Sequence, residues 1–237
     1  MTEYDKQNPS SIQSLFDSIA LRYDRGNSLM SFHLHALWNY YFVKLLFENR
    51  EVKEALDLCA GTGEIAIRSC DFLPIPPQFT LVDFSKNMLD LAKIRLAKYP
   101  HFSFIQADAT HLPLTSEQYE VATMAYGIRN IHEKLACFEE VHRVLKTHGR
   151  FGILELTQPS NTILRMLHKV YLQTYVPFVG RFFISNKKAY EYLCNSIQAF
   201  PEPENIVSTL TQARFSSVKT IPLFGGIATI FLATKEP

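Results

Sequence analysis

The chain has 237 residues, 47% of them hydrophobic, and a formal net charge of +1. That size and apolar content suit one α/β domain with a full core, and the near-neutral charge removes nucleic acid as a main partner. Cys59, Cys70, Cys137 and Cys194 form no C-x-x-C pair and read as reduced thiols. The histidines show no metal spacing, and no run of about 18 apolar residues could span a bilayer. The expectation is a cytoplasmic protein without signal peptide or metal.

Ser10 to Tyr23 carries Ile12, Leu15, Phe16, Ile19 and Ala20 at helical spacing, and Tyr23-Asp-Arg-Gly-Asn27 breaks it as a turn. Leu29 to Glu48 resumes a helical pattern dense in aromatics, Phe32, Trp38 and Phe42 among them. Residues 1–50 thus read as a helical cover that lends aromatics to an apolar substrate pocket. From Val52 the rhythm becomes strand, helix, strand, helix. Strands are expected over Val52–Leu58, Thr80–Asp83, Phe102–Ile105, Glu120–Met124 and Phe151–Leu156. Between them lie helices from Glu64, from Asn87 with Ser85 as N-cap, and over Glu133–Leu145 with Leu135, Phe138 and Val141 inward.

This alternation predicts a Rossmann-like, mostly parallel sheet with helices on both faces, and right-handed crossovers place its βα loops along one edge. After Glu155 the rhythm stops. Residues 158–213 read as a helical lid inserted over that edge, and residues 214–237 as a final β-hairpin across Gly225-Gly226, making seven strands. The whole chain is one domain, with 51–157 as its ligand-binding core.

Asp57-Leu-Cys-Ala-Gly-Thr-Gly63 sits between the first strand and its helix, where Gly61 and Gly63 let the backbone turn sharply toward a ligand. No Gly-Lys-Ser/Thr follows, so the turn is not a triphosphate cradle, and it is a poor dinucleotide fingerprint. Asp83 ends the second strand, where an acid can accept from both hydroxyls of a ribose. Asp108, followed by Ala109, ends the third and can read an adenine amino group. A phosphate-free turn with two acids favours a cationic nucleoside, S-adenosylmethionine; NAD fits the ribose acid but wants a pyrophosphate turn.

The chain resembles the ubiquinone/menaquinone biosynthesis C-methyltransferases, a branch of the class I S-adenosylmethionine-dependent methyltransferases. The resemblance is carried by Tyr23-Asp24 with Asn27-Ser-Leu-Met-Ser31, Trp38, the Gly-Thr-Gly turn, Asp83-Phe-Ser85, Asp108-Ala109, Tyr126-Gly-Ile-Arg-Asn130, Tyr190-Glu-Tyr-Leu193 with Ser196-Ile197, and Gly225-Gly-Ile-Ala228. Glu64 stands where the family usually has Asp, Ala125 where it often has Ser, and Lys146-Thr-His-Gly149 where it has Lys-Pro-Gly-Gly.

The resemblance implies cofactor contacts at Thr62, Asp83, Asp108 and Ala109, on the turn that Gly61 and Gly63 shape. It implies methyl transfer to a ring carbon of a polyprenylated quinol. Arg129, in the loop after the fourth strand, is the candidate to stabilise a developing phenolate, because arginine stays protonated, and Asn130, Tyr190, Tyr126 and His132 are further candidates. Demethylmenaquinol is the expected acceptor in menaquinone biosynthesis. The alternatives are 2-methoxy-6-polyprenyl-1,4-benzoquinol in ubiquinone biosynthesis and a non-catalytic, cofactor-binding subunit of a quinone-biosynthesis complex. Leu164, Leu167, Tyr171, Tyr175, Phe178, Phe182 and Phe183, flanked by Arg165, Lys169, Arg181, Lys187 and Lys188, suit peripheral contact with the inner membrane face. A homodimer is a further expectation.

Overall fold

The computed structural model describes residues 9–99, 101–180 and 187–237. Seven strands form one sheet in the order β3-β2-β1-β4-β5-β7-β6. They are β1 (Glu54–Leu58), β2 (Gln78–Asp83), β3 (Phe102–Gln106), β4 (Tyr119–Ala125), β5 (Leu145–Leu156), β6 (Ser216–Leu223) and β7 (Ala228–Thr234). The first five run parallel, and β7 pairs antiparallel with both β5 and β6. The switch in strand order between β1 and β4 opens a crevice at the carboxyl edge, where such sheets take ligands.

The helices are α1 (Pro9–Ile19), α2 (Tyr23–Met30), α3 (Leu34–Phe47), α4 (Glu64–Phe72), α5 (Lys86–Leu96), α6 (Lys134–Val144), α7 (Thr162–Val179), α8 (Lys187–Gln198) and α9 (Pro203–Gln212). One apolar cluster joins α3, α4 and α5 to the sheet through Phe42, Leu46, Ile65 and Leu89. A second joins α6 and α9 to the opposite face through Phe138, Val141, Ile206 and Leu210. The packing of α3 is close: a Cβ at Gly152 of β5 would lie 2.4 Å from Leu46.

Two expected boundaries shift as a result. Helix α3, assigned by sequence to the cover, and α9, assigned to the lid, both belong to the layers of the sheet. The cover over the ligand edge is made by α1, α2, α7 and α8, which share a third apolar cluster including Leu15, Met30, Leu172 and Tyr190.

Three local expectations are also corrected. Tyr23–Asn27 is the first part of a helix rather than a turn; the break falls at Phe32 and His33, both at positive φ. Leu135 is 37% exposed, because the sheet-facing stripe of α6 runs through Cys137, Phe138, Val141 and Val144. In α7, Tyr171 and Tyr175 are half-buried and their hydroxyls donate to the carbonyls of Met30 and Leu29, tying α7 to α2 rather than facing outward. Arg181, Phe182 and Phe183 lie outside the described residues.

Candidate active site

The turn after β1 is built by backbone geometry. Gly63 has φ of 80°, and a Cβ there would sit 3.0 Å from Leu96, so this glycine seats α4 against α5 rather than facing a ligand. Cys59 and Tyr126, at the ends of the neighbouring strands β1 and β4, both hold positive φ, a conformation that bulky residues keep only where the surroundings impose it. Gly127 answers Cys59: a Cβ at 127 would lie 2.5 Å from the Cys59 Cβ.

One cavity runs along the ends of β1, β2 and β3 and is lined by Gly61, Asp83, Asp108 and Ala109, with Phe16, Met88 and Ile131 as apolar walls. Asp83 accepts from the Gly61 N–H and the Ser85 N–H, both at 2.8 Å. Burial pushes its carboxyl up to about 6, and the two amides work against that shift. Asp108 accepts from the N–H and hydroxyl of Thr110.

A second cavity continues past Gly61 to Thr62, Glu64 and Asp57. The Thr62 hydroxyl is already committed: it donates to Asp24 at 2.7 Å and accepts from Arg95 at 2.8 Å, and Arg95 also bridges Asp24 and Glu64. Asp57 is 1% exposed. Thr123 donates to its Oδ1, and its Oδ2 has no hydrogen-bond partner among the described residues. Burial raises its carboxyl to about 7, with nearby Asp83 adding to the shift.

A third cavity lies between the cover helices and the sheet edge. Its walls include Met30, Trp38, Leu172, Val176 and Ile227, and Arg129 and His168 are its buried polar members. Arg129 forms a 2.6 Å ion pair with Glu155, which is fully buried and also accepts from the Arg129 and Leu156 amides. Burial opposes the Arg129 charge, but the Glu155 carboxylate outweighs it and holds the guanidinium above its ordinary value. Burial pushes the His168 imidazole down, which favours its neutral form. Tyr23 and Tyr126 line all three cavities and so join the Asp83 side to the Arg129 side.

The predicted residues therefore divide. Gly61, Asp83, Asp108, Ala109 and Asn130 line the first cavity, Gly61 and Thr62 the second, and Arg129 the third. Asn130 accepts from the Tyr192 hydroxyl at 3.0 Å, and His132 lies on the first cavity with its side chain 52% exposed. Tyr190 is 4% exposed in the α1–α7–α8 cluster, against Gly180, and lines none of these cavities. Sequence reasoning did not assign roles to Asp57, Tyr23 or His168. Asp57 opens the glycine turn and was legible by position, whereas nothing in the local pattern marked His168.

The fold and this edge define a class I S-adenosylmethionine-dependent methyltransferase. A solved phosphoethanolamine N-methyltransferase 2 of Haemonchus contortus, in complex with S-adenosyl-L-methionine, superposes with a TM-score of 0.64 at 14% identity, over 85% of this chain and 53% of that one. The chain thus spans about half of that enzyme, and the likeness is one of fold. The profile of the ubiE/COQ5 methyltransferase family matches residues 1–235, and the chain belongs to that family. A demethylmenaquinone methyltransferase of Protochlamydia amoebophila is 42% identical over 99% of both chains. One of Chlamydia caviae is 41% identical over 96% of this chain and 97% of its own.

Proposed function

We propose that this enzyme methylates a ring carbon of demethylmenaquinol to give menaquinol. The observation that carries the reading is an apolar cavity holding one buried guanidinium and sharing Tyr23 and Tyr126 with the cofactor cleft. The curated relatives, demethylmenaquinone methyltransferases by name, support it.

The residues present fit the cofactor. Asp83 would hold the ribose hydroxyls and Asp108 with Ala109 the adenine, in a cavity that Met88 and Ile131 also line. The unpartnered Oδ2 of Asp57 suits a cationic group at the far end of the cleft. S-adenosylmethionine supplies an activated methyl group.

The chain's own task is to make a ring carbon nucleophilic and to aim it. Arg129 stays protonated, so its part is to stabilise the phenolate oxygen that puts charge on the neighbouring carbon. The Glu155 pair fixes its position. Neutral His168 is placed to take the phenolic proton at an imidazole nitrogen. Asn130 steadies the loop beside both cavities through Tyr192, and Tyr190 acts by holding α7 and α8 together.

Labelled S-adenosylmethionine is offered with a reduced short-chain demethylmenaquinol and with the methoxy benzoquinol. Label in the naphthoquinol ring supports the reading; label in neither, with the cofactor bound, overturns it. Arg129→Lys should lower kcat about 100-fold while cofactor affinity stays within twofold. Full turnover would remove Arg129 from the chemistry.

We further propose that the enzyme works from the cytoplasmic side at the membrane surface that holds its lipid-tailed substrate. Among the described residues no helix is long and apolar enough to cross a membrane. Ile163, Met166, Leu167, Val170 and Phe178 on the outer stripe of α7 are more than half exposed beside Lys169, as a peripheral contact requires. Vesicle flotation with anionic lipid tests this; protein that stays with the lipid-free fraction refutes it. The same face could pair two copies, and sedimentation in lipid-free buffer reads that homodimer directly.

A further inference from the structure

Two residues on the walls of the third cavity each carry a buried hydrogen-bond donor without a partner. Trp38 is 5% exposed and Arg129 4%, and neither the indole Nε1 nor the guanidinium Nε meets an acceptor among the described residues. An unsatisfied buried donor costs roughly 1–3 kcal/mol. For Arg129 the Glu155 pair explains why the residue is there, though not the idle Nε–H. For Trp38 packing alone explains little. Its ring sits on apolar neighbours and meets Phe224 edge-on at 6.0 Å, contacts a phenylalanine would make without an orphaned donor. The chain uses 18 phenylalanines and a single tryptophan, which stands on this wall.

We propose that Trp38 is a specificity residue for the acceptor. Its indole N–H donates to one ring oxygen while the Arg129 Nε–H donates to the other, so the cavity selects a ring bearing two oxygens para to each other. This rests on the reading of the acceptor as a quinol. Arg129 serves the oxygen next to the carbon that is methylated, where charge develops. Trp38 serves the oxygen next to the prenyl chain, which stays a hydroxyl throughout and accepts the indole hydrogen bond through a lone pair. Helix α3 makes the donor rigid. The next residue, Asn39, is 1% exposed and accepts from the Tyr126 hydroxyl at 2.8 Å, which locks α3 to the strand end that lines both the cofactor cleft and this cavity. A site built around a substrate oxygen rejects an analogue lacking it far more strongly than an apolar pocket rejects a change of size.

The test compares short-chain demethylmenaquinol with 3-prenyl-1-naphthol, which keeps the oxygen beside the reacting carbon and lacks the other. Binding is measured anaerobically by calorimetry with S-adenosylhomocysteine bound. Trp38→Phe should weaken the quinol about tenfold, leave the naphthol within twofold, and leave S-adenosylhomocysteine affinity unchanged. Equal weakening of both acceptors, or of neither, overturns the proposal. Should the variant fail to fold, the wild type decides. Its one indole N–H cross-peak in a nitrogen-15 correlation spectrum should move downfield with the quinol and not with the naphthol; the same movement with both refutes the hydrogen bond. A wild type that methylates the quinol but fails these comparisons sinks only the role of Trp38. A wild type that neither binds nor methylates the quinol sinks the quinol reading and the role of Trp38 with it.

Discussion

The first and third cavities, proposed above for cofactor and acceptor, both include Tyr23 and Tyr126, yet they are built by opposite means. The cleft is a product of strand ends. Asp83 and Asp108 occupy it because β2 and β3 stop there, and their oxygens already hold neighbouring N–H groups. The acceptor cavity is gathered from α2, α3, the loop after β4, α7, α8 and the start of β7, and two of its buried donors are idle. A parallel sheet forms the first site almost as a by-product of closing its crossovers. The second needs a tertiary arrangement held against the cost of unsatisfied polar groups, so it is the more fragile of the two.

Breaking the Arg129–Glu155 pair should show that difference most strongly. Glu155→Ala leaves a guanidinium buried without its carboxylate, and urea unfolding should register a loss of about 3–5 kcal/mol. A loss under about 1 kcal/mol would mean that the cavity is not organised by this pair.

On the cofactor side the expected effect has the opposite sign. The folded-state pKa of Asp57 is raised, so the folded protein binds the proton more tightly than the unfolded chain does. The cofactor-free protein should therefore lose stability as pH rises from about 4 toward about 7. Asp57→Asn should abolish that loss and gain on the order of 2 kcal/mol at pH 8, while weakening cofactor binding. The same sign applies to Asp83, whose carboxylate must be ionised to accept from a ribose. S-adenosylhomocysteine affinity should fall below about pH 6. Melting temperatures across pH 5–8, with and without ligand, check both.

The smallest effect is expected on the outer face of α7. Leu167 is 57% exposed, so Leu167→Ala should move stability by less than about 0.5 kcal/mol and yet reduce vesicle binding. A large stability loss would place that face inside a folded contact instead.

Much of this molecule was legible in its residues. Short apolar runs and helical spacing located all seven strands and most helices, and the glycine turn, Asp83 and Asp108 were legible as one edge of the sheet. Helix ends such as the Ser85 cap, whose hydroxyl accepts from the Met88 N–H, are local interactions and were readable locally. That α3, read as cover, and α9, read as lid, pack on the sheet was not legible, because an amphipathic helix does not say which sheet face or edge will take its apolar side. Tyr190 was read as a site residue from its motif, but packing against Gly180 turned it into the cluster between helices.

The sequence by itself determined the fold class, since it follows from patterns that span a few residues and from the one-handedness of βαβ connections. Only the tertiary structure decided that Arg129 is bound to Glu155, that Thr62 is tied to Asp24 and Arg95, and that Trp38 is buried with an unpaired N–H. Those facts depend on residues far apart in the chain meeting in a low-dielectric interior. Burial and the partners it brings together set what a charge or a donor is worth there.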